Sequence, residues 1–257
     1  GSAILSARGV VKRFGGFTAL NGIDFDLNDR ERVGLIGPNG SGKSTFVNCL
    51  TGALRQEEVN VVFAGTDITK MPAWRRASSG LARSFQIPRP FRGLTVRQNI
   101  EAGLSLEKDR GGRQAKRESL IARFHLEGLE GRYPRELSGG QMQRVALCRM
   151  LASEPEAILL DEPFAALDSH LRWQLEREVK DTLAEFPGVS LLVSHDRGEV
   201  YRMSERVCVL NAGVSEPVTV TRDLFERPRT LQAALISGCK NCVATKMEGD
   251  CRVCVPE

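Results

Sequence analysis

The stretch "RVGLIGPNGSGKSTFVNCL", residues 32–50, decides the fold. It opens with a short apolar run bounded by glycine and proline, as in a buried strand. It closes with Phe46, Val47 and Leu50 at helical spacing, a pattern that Leu54 continues. Between them, "GPNGSGKST" (37–45) matches G-x-x-x-x-G-K-[ST] in the strand–loop–helix context that this motif requires. Gly37, Gly40 and Gly42 let backbone N–H groups curl around phosphate oxygens. Lys43 is placed to reach β- and γ-phosphates, and the Ser44 hydroxyl to ligate Mg²⁺. Pro38, Asn39, Ser41 and Thr45 complete the loop. A chance glycine-rich turn would lack the flanking strand and helix.

Outward from this loop, β-like runs and helical runs alternate. "ILSARGVVKRF", "FTALNGIDFDL" and "VNVVFAGTDI" read as strands with turns. Residues from about Thr95 to Ala152 read as helical, with "DRGGRQAKR" as a solvated loop and helix start. "EAILLDEP" and "VSLLVSH" read as buried strands. "SHLRWQLEREVKDTLAEF" reads as a helix capped by Ser169, "RGEVYRMS" as a short helix, and "ERVCVLNAG" and "SEPVTV" as closing strands. Such alternation predicts an α/β fold with a mostly parallel sheet and right-handed crossovers.

In "AILLDEP" (157–163) four apolar residues bury a strand, and Asp161 emerges at its C-terminal end, where α/β sheets bind ligands. Asp161 suits Mg²⁺ and its water. Glu162 suits a general base that polarises an attacking water. A lone acid–acid–proline strand end would mean little; beside the Lys43 loop it points to phosphoryl transfer. "LSGGQMQRVAL" (137–147) is a tight turn opening a helix, a second helix start with free N–H groups for an anion.

Taken together these motifs resemble the ATP-binding subunits of ABC transporters over roughly residues 4–240. The phosphate loop, the glutamine of "RSFQ" (Gln86), "LSGGQ" (137–141), "LLDEP" (159–163), "AALD" (165–168) and "SH" (194–195) stand in that family's order. The resemblance implies a P-loop NTPase of the ABC ATPase fold. Its parts would be a RecA-like core, an antiparallel β subdomain and an α-helical subdomain inserted at about 88–152, followed by a short tail at 241–257. It implies ATP and Mg²⁺ as ligands and hydrolysis to ADP and phosphate. Ser138, Gly139, Gly140 and Gln141 of one chain would close over ATP held by the Lys43 loop of a second, head to tail; the second chain is another copy or a paralogous subunit. Gln86 would contact Mg²⁺, His195 the γ-phosphate, and Phe14 the adenine; Asp168 would organise the partner's site. For Phe14 the alternative is a core residue, and for His195 a structural one.

The family also implies transmembrane permease partners and a peripheral place on the cytoplasmic face of the membrane. "QIPRPFRGLTVRQNI" (86–100) would receive them, with Phe91 either exposed for contact or packed into the helical part. "ARSFQIPRPFRGLTVRQNI" looks like branched-chain amino-acid importer ATPases. "YPRELSGGQMQRVAL" and the segments after it look like molybdate or tungstate importer ATPases, so the solute expected is an oxyanion of that type or a branched-chain amino acid. A second class, a soluble ABC ATPase acting on nucleic acid or ribosomes, usually fuses two such domains or inserts a long coiled coil; this chain carries one motif set and no heptad run.

Bulk properties agree. The 257 residues suffice for a sizeable core. Lys and Arg total 36 against 32 Asp and Glu, a mild excess that does not call for nucleic acid. No apolar run reaches the ~18–20 residues of a membrane span, and no export signal is visible. Cys49, Cys148 and Cys208 read as buried thiols. Cys239, Cys242, Cys251 and Cys254 form two C-x2-C pairs eight residues apart. Four thiols in a tetrahedral Zn²⁺ site, or an iron–sulfur cluster, is one reading; the spacing, shorter than the usual ~15–20, favours incidental thiols on a tail.

Overall fold

A computed structural model describes residues 3–54, 58–84, 90–106, 109–165, 167, 169–238, 246–248 and 252–254. Alternating apolar positions build the first layer. β1 (Ala3–Phe14) pairs antiparallel with β2 (Phe17–Asn28), and Leu5, Ala7, Ile23, Phe25 and Leu27 are buried. β3 (Arg32–Ile36) leads through the glycine-rich loop into α1 (Lys43–Leu50). β4 (Glu58–Phe63) returns to pair with β1 and then with β5 (Thr66–Asp67), which gives an antiparallel sheet in the order β2-β1-β4-β5.

The chain then runs through α2 (Ala73–Ser78), β6 (Leu81–Ser84), α3 (Val96–Gly103), α4 (Arg110–Arg123) and α5 (Gly139–Ala152). Next come β7 (Ala157–Asp161), α6 (Ser169–Glu185), β8 (Val189–Ser194), α7 (Arg197–Met203) and β9 (Arg206–Asn211). Short strands β10 (Val214–Ser215) and β11 (Thr219–Val220) precede α8 (Thr221–Glu226) and α9 (Leu231–Ser237). A small hairpin, β12 (Lys246–Glu248) with β13 (Arg252–Cys254), follows. The main sheet has the order β10-β9-β3-β8-β7-β6, with β11 also on β9. Its β9-β3-β8-β7-β6 run is parallel throughout. The architecture is the expected α/β fold, with a parallel core sheet, an antiparallel sheet and a helical part.

Successive residues of β7 face opposite sides, as the pleat requires. Leu159 joins a core with Phe46 of α1 and Phe25 of the antiparallel sheet. Ile158 and Leu160 join a second core with Ile100 of α3, Val145 of α5 and Val179 of α6. A third, smaller core gathers Ile36, Val200, Val209, Leu224 and Ala233. Cys49, Cys148 and Cys208 are buried free thiols, and burial pushes Cys49 up to about 11 and Cys208 to about 12.

Three expectations are corrected. Ser169 is the first helical residue of α6 and not its cap, since the helix starts one residue earlier than that placement allows. "SEPVTV" forms two separate short strands, because Pro217 between them has no N–H to give a ladder. The helical reading of 95–152 holds for α3–α5, but residues 124–138 are turns around a single 3₁₀ turn, Pro134–Glu136.

Candidate functional site

β3 lies between β8 and β9, and the loop at its end is threaded through a narrow gap. A Cβ on Gly37 would fall 2.1 Å from Leu210 O, and one on Gly42 2.8 Å from Ala19 O. Gly42 also carries φ +104° as the residue that opens α1. Lys43 is buried and donates from Nζ to Gly37 O at 2.7 Å and Pro38 O at 2.9 Å. Burial holds its ammonium below the usual lysine value, against the opposing pull of Glu162 and Asp161. Ser41 Oγ is buried with no hydrogen-bond partner, and Ser44 is exposed on the first turn of α1.

An orphaned hydroxyl and the N-terminus of an eight-residue helix fit phosphate oxygens. The hydroxyl of Ser44 and the carboxylate of Asp161 are hard oxygen donors that fit Mg²⁺ brought in with a nucleotide. Among the described residues no cluster of three or more His, Cys, Asp or Glu could hold a metal without such help. Beside the loop, a cleft of about 650 Å³ lies between Gly37–Asn39, His195–Arg197 and α9.

Asp161 ends β7 and Glu162 follows it; Ser194 ends β8, the neighbouring strand, and His195 follows it. Asp161 is 5 % exposed; its Oδ2 accepts from Arg83 Nη2 at 2.7 Å, and its N–H donates to Ser84 Oγ at 3.3 Å. Glu162 Oε1 lies 3.2 Å from His195 Nδ1. The His195 backbone is fixed from both sides. Ser194 Oγ donates to the buried Glu199 at 2.6 Å and accepts the Asp196 N–H at 2.9 Å; Asp196 in turn caps α7 through Gly198 N–H at 2.7 Å. A polar cavity of about 40 Å³, room for a water or two, is lined by Glu162, Arg172, Ser194, His195 and Glu199.

Ser138 caps α5 in a reciprocal capping box with Gln141, and both Ser138 and Gly139 are exposed while Gly140 is buried. From the same helix Gln143 donates to Pro163 O at 2.8 Å, which ties this helix start to the Glu162 turn. Phe14 is 46 % exposed, with Lys12 Nζ 5.3 Å from its ring centroid, so it is no core residue. Phe91 is half-exposed, with the Arg149 guanidinium 4.4 Å from its ring centroid. Gln86, Asp168, Cys239, Cys242 and Cys251 lie outside the described residues; Cys254 ends β13. Arg83 and Glu199 went unnoticed in the sequence, where nothing in "LARS" or "RGEV" marks a buried charge.

A family model described as ABC transporter matches residues 20–165. The sulfate/thiosulfate import ATP-binding protein CysA of Mycolicibacterium paratuberculosis is 37% identical over 229 residues, which are 89% of this chain and 62% of that protein. The protein of the same name from Synechocystis sp. is 38% identical over 85% of this chain and 61% of its own length. The chain thus spans less than two thirds of these relatives. The crystal structure of the ADP conformation of MJ1267, an ATP-binding cassette of an ABC transporter, superposes with TM-score 0.76 at 28% identity, covering 91% of this chain and 99% of that one. The dimeric post-hydrolysis cassette MJ0796, bound to ADP and Pi, superposes with TM-score 0.74 at 26% identity, over 85% and 99%.

Proposed function

We infer, from the premise that this chain belongs to the ABC transporter family, that it is the ATP-binding and ATP-hydrolysing subunit of an importer. The observation that carries this reading is the gathering of Lys43, Asp161, Glu162 and His195 at the C-terminal ends of β3, β7 and β8, with Glu162 and His195 in contact. Residues 4–240 are taken as the ATP-binding unit.

The backbone N–H groups of the loop and the Lys43 ammonium bind the β- and γ-phosphates. Ser44 and Asp161, with Gln86, would hold Mg²⁺, which would neutralise charge on the phosphate oxygens. Water attacks the γ-phosphorus, the bond to the β–γ bridging oxygen breaks, and Glu162 accepts the water's proton. His195 steadies the Glu162 carboxylate and faces the γ-phosphate. Phe14 stacks on adenine. Ser138 caps an exposed helix start, and Ser138, Gly139, Gly140 and Gln141 act on ATP held by a second subunit, whose site Asp168 helps to organise.

No helix among the described residues is long and apolar enough to cross a membrane. The family reading places the chain on the cytoplasmic face beside permease subunits, with the half-exposed Phe91 as a contact. The relatives' names carry sulfate/thiosulfate import; neither molybdate, tungstate nor a branched-chain amino acid finds support there, and the solute assigned here is a sulfate-class oxyanion. The purified chain should hydrolyse MgATP, and Lys43→Ala should abolish turnover and weaken nucleotide binding; normal turnover by that variant would sink the site. Co-purification of the permease and its solute-binding protein tests the solute.

A further inference from the structure

The ion pair between Arg83 and Asp161 has no part in the mechanism just described. β6 and β7 run parallel with Arg83 opposite Leu159, so the pleat places Arg83, Leu159 and Asp161 on one face of the sheet. Leu159 packs on that face with Phe46 of α1. The Arg83 side chain lies between β7 and α1, and its fork divides. Nη2 donates to Asp161 Oδ2 at 2.7 Å; Nη1 donates to Asn48 Oδ1 at 2.6 Å and to Thr51 Oγ1 at 3.4 Å. The two charged side chains are only 11% and 8% exposed.

A carboxylate turns easily about its last torsion. One charge-assisted hydrogen bond to a guanidinium that is itself anchored removes that freedom. The pair takes up one carboxylate oxygen, Oδ2. A lysine in the same place would bring the charge without the fork, and so could not bridge Asn48 and Asp161 in one geometry.

We propose that Arg83 is a positioning residue that holds Asp161 in a single orientation toward nucleotide-borne magnesium and fastens that orientation to α1 through Asn48. The proposal rests on the reading of the site as one for MgATP.

The test uses the full chain and two variants, Arg83→Lys and Asn48→Ala, with folding checked by circular dichroism melts. Mn²⁺ binding in the presence of a non-hydrolysable ATP analogue is followed by electron paramagnetic resonance, and binding of the analogue alone is measured in EDTA. Partners that orient a metal ligand typically change metal affinity by about 10- to 100-fold. Arg83→Lys should therefore need at least about tenfold more Mn²⁺, and Asn48→Ala a smaller increase, while analogue binding in EDTA stays within about twofold. Folded variants that bind Mn²⁺ like the wild type overturn the role of Arg83, as does an equal loss in EDTA. Failure of both variants to fold would make the pair a brace of the sheet and overturn it too. A wild-type chain that binds no nucleotide overturns the MgATP reading itself, and with it this inference.

Discussion

His195 Nδ1 stands 3.2 Å from Glu162 Oε1. The contact joins the ends of adjacent parallel strands, with Asp161 in register with Val193. Glu162 sits at φ +45° and donates its N–H to Val193 O at 2.9 Å. Such a conformation costs a non-glycine residue on the order of 1–3 kcal/mol, and here it turns the strand end toward the imidazole. His195 is half-exposed, so its removal leaves the core intact. His195→Ala should lower ATP turnover by about 10²-fold or more with nucleotide affinity little changed. Equal losses in turnover and affinity, measured by phosphate release and calorimetric titration, would move His195 from chemistry to binding.

Gly42 has a left-handed backbone and no room for a side chain. In Gly42→Ala the new methyl would press on Ala19 O, 2.8 Å away, and on the φ of +104°. Urea unfolding should show a loss of about 1–3 kcal/mol, and ATP binding should disappear with the loop geometry. Unchanged binding would mean that the loop has slack that this gap does not offer.

Arg76 is 1% exposed and satisfies four carbonyls. Nη1 donates to Cys49 O and Leu50 O, at 3.0 and 2.6 Å, Nε to Met71 O and Nη2 to Thr69 O, each at 2.9 Å. Two of these carbonyls end α1, where the helix dipole favours a cation. Arg76→Met fills similar space and leaves buried acceptors bare, so it should cost about 3 kcal/mol or more. A shift of the urea midpoint within error of zero would contradict this account.

The loop at 37–45 and the acids at 161–162 were legible because each is a local pattern: a strand, a turn of required residue types, and a helix or loop. β6 was not, because "LARS" is short, half polar and without alternation. It becomes a strand only by pairing with β7, a long-range event. Arg76, Arg83 and Glu199 read as ordinary surface charges, and only tertiary packing buries them. α8 and α9 were missed because Pro228 interrupts the run between them. The solute readings rested on likeness in separate stretches and not on residues read as touching a solute.

Glu199 gives the fold a pH dependence. Burial is the main cause that raises its pKa above 4.5; Asp196 and Glu176 add to it, while the Ser194 hydroxyl and Arg172 oppose it. A carboxyl raised in the folded chain stabilises fully below its unfolded value and loses that contribution as pH climbs through the folded value. Glu199→Gln keeps the acceptor for Ser194 and removes the titration. Wild-type stability relative to Glu199→Gln should therefore fall as pH rises above about 4.5 and then level off. Urea midpoints for both proteins across this range decide it; parallel profiles would show that Glu199 is not the titrating group.

Glu162 and Ser138 together test catalysis and pairing. Glu162→Gln keeps the shape beside His195 and removes the charge proposed to take the water's proton, so hydrolysis should suffer more than binding. The variant should bind MgATP, turn it over very slowly and accumulate as a dimer, with ATP between the Ser44 turn of one chain and the Ser138 turn of the other. A two-fold pairing of this kind is isologous, so both sites form or neither does. Ser138 is exposed at the start of α5, and its hydrogen bonds are those of the capping box with Gln141; the pairing proposed has it act on the partner's nucleotide. Adding Ser138→Arg should thus break the dimer and leave monomeric ATP binding largely intact. Sizing chromatography with and without MgATP reads the outcome. A Glu162→Gln chain that stays monomeric in saturating MgATP, well above about ten micromolar protein for a weak transient contact, would count against the trans-acting role of Ser138. Hydrolysis by the same chain at the wild-type rate would remove Glu162 from the chemistry.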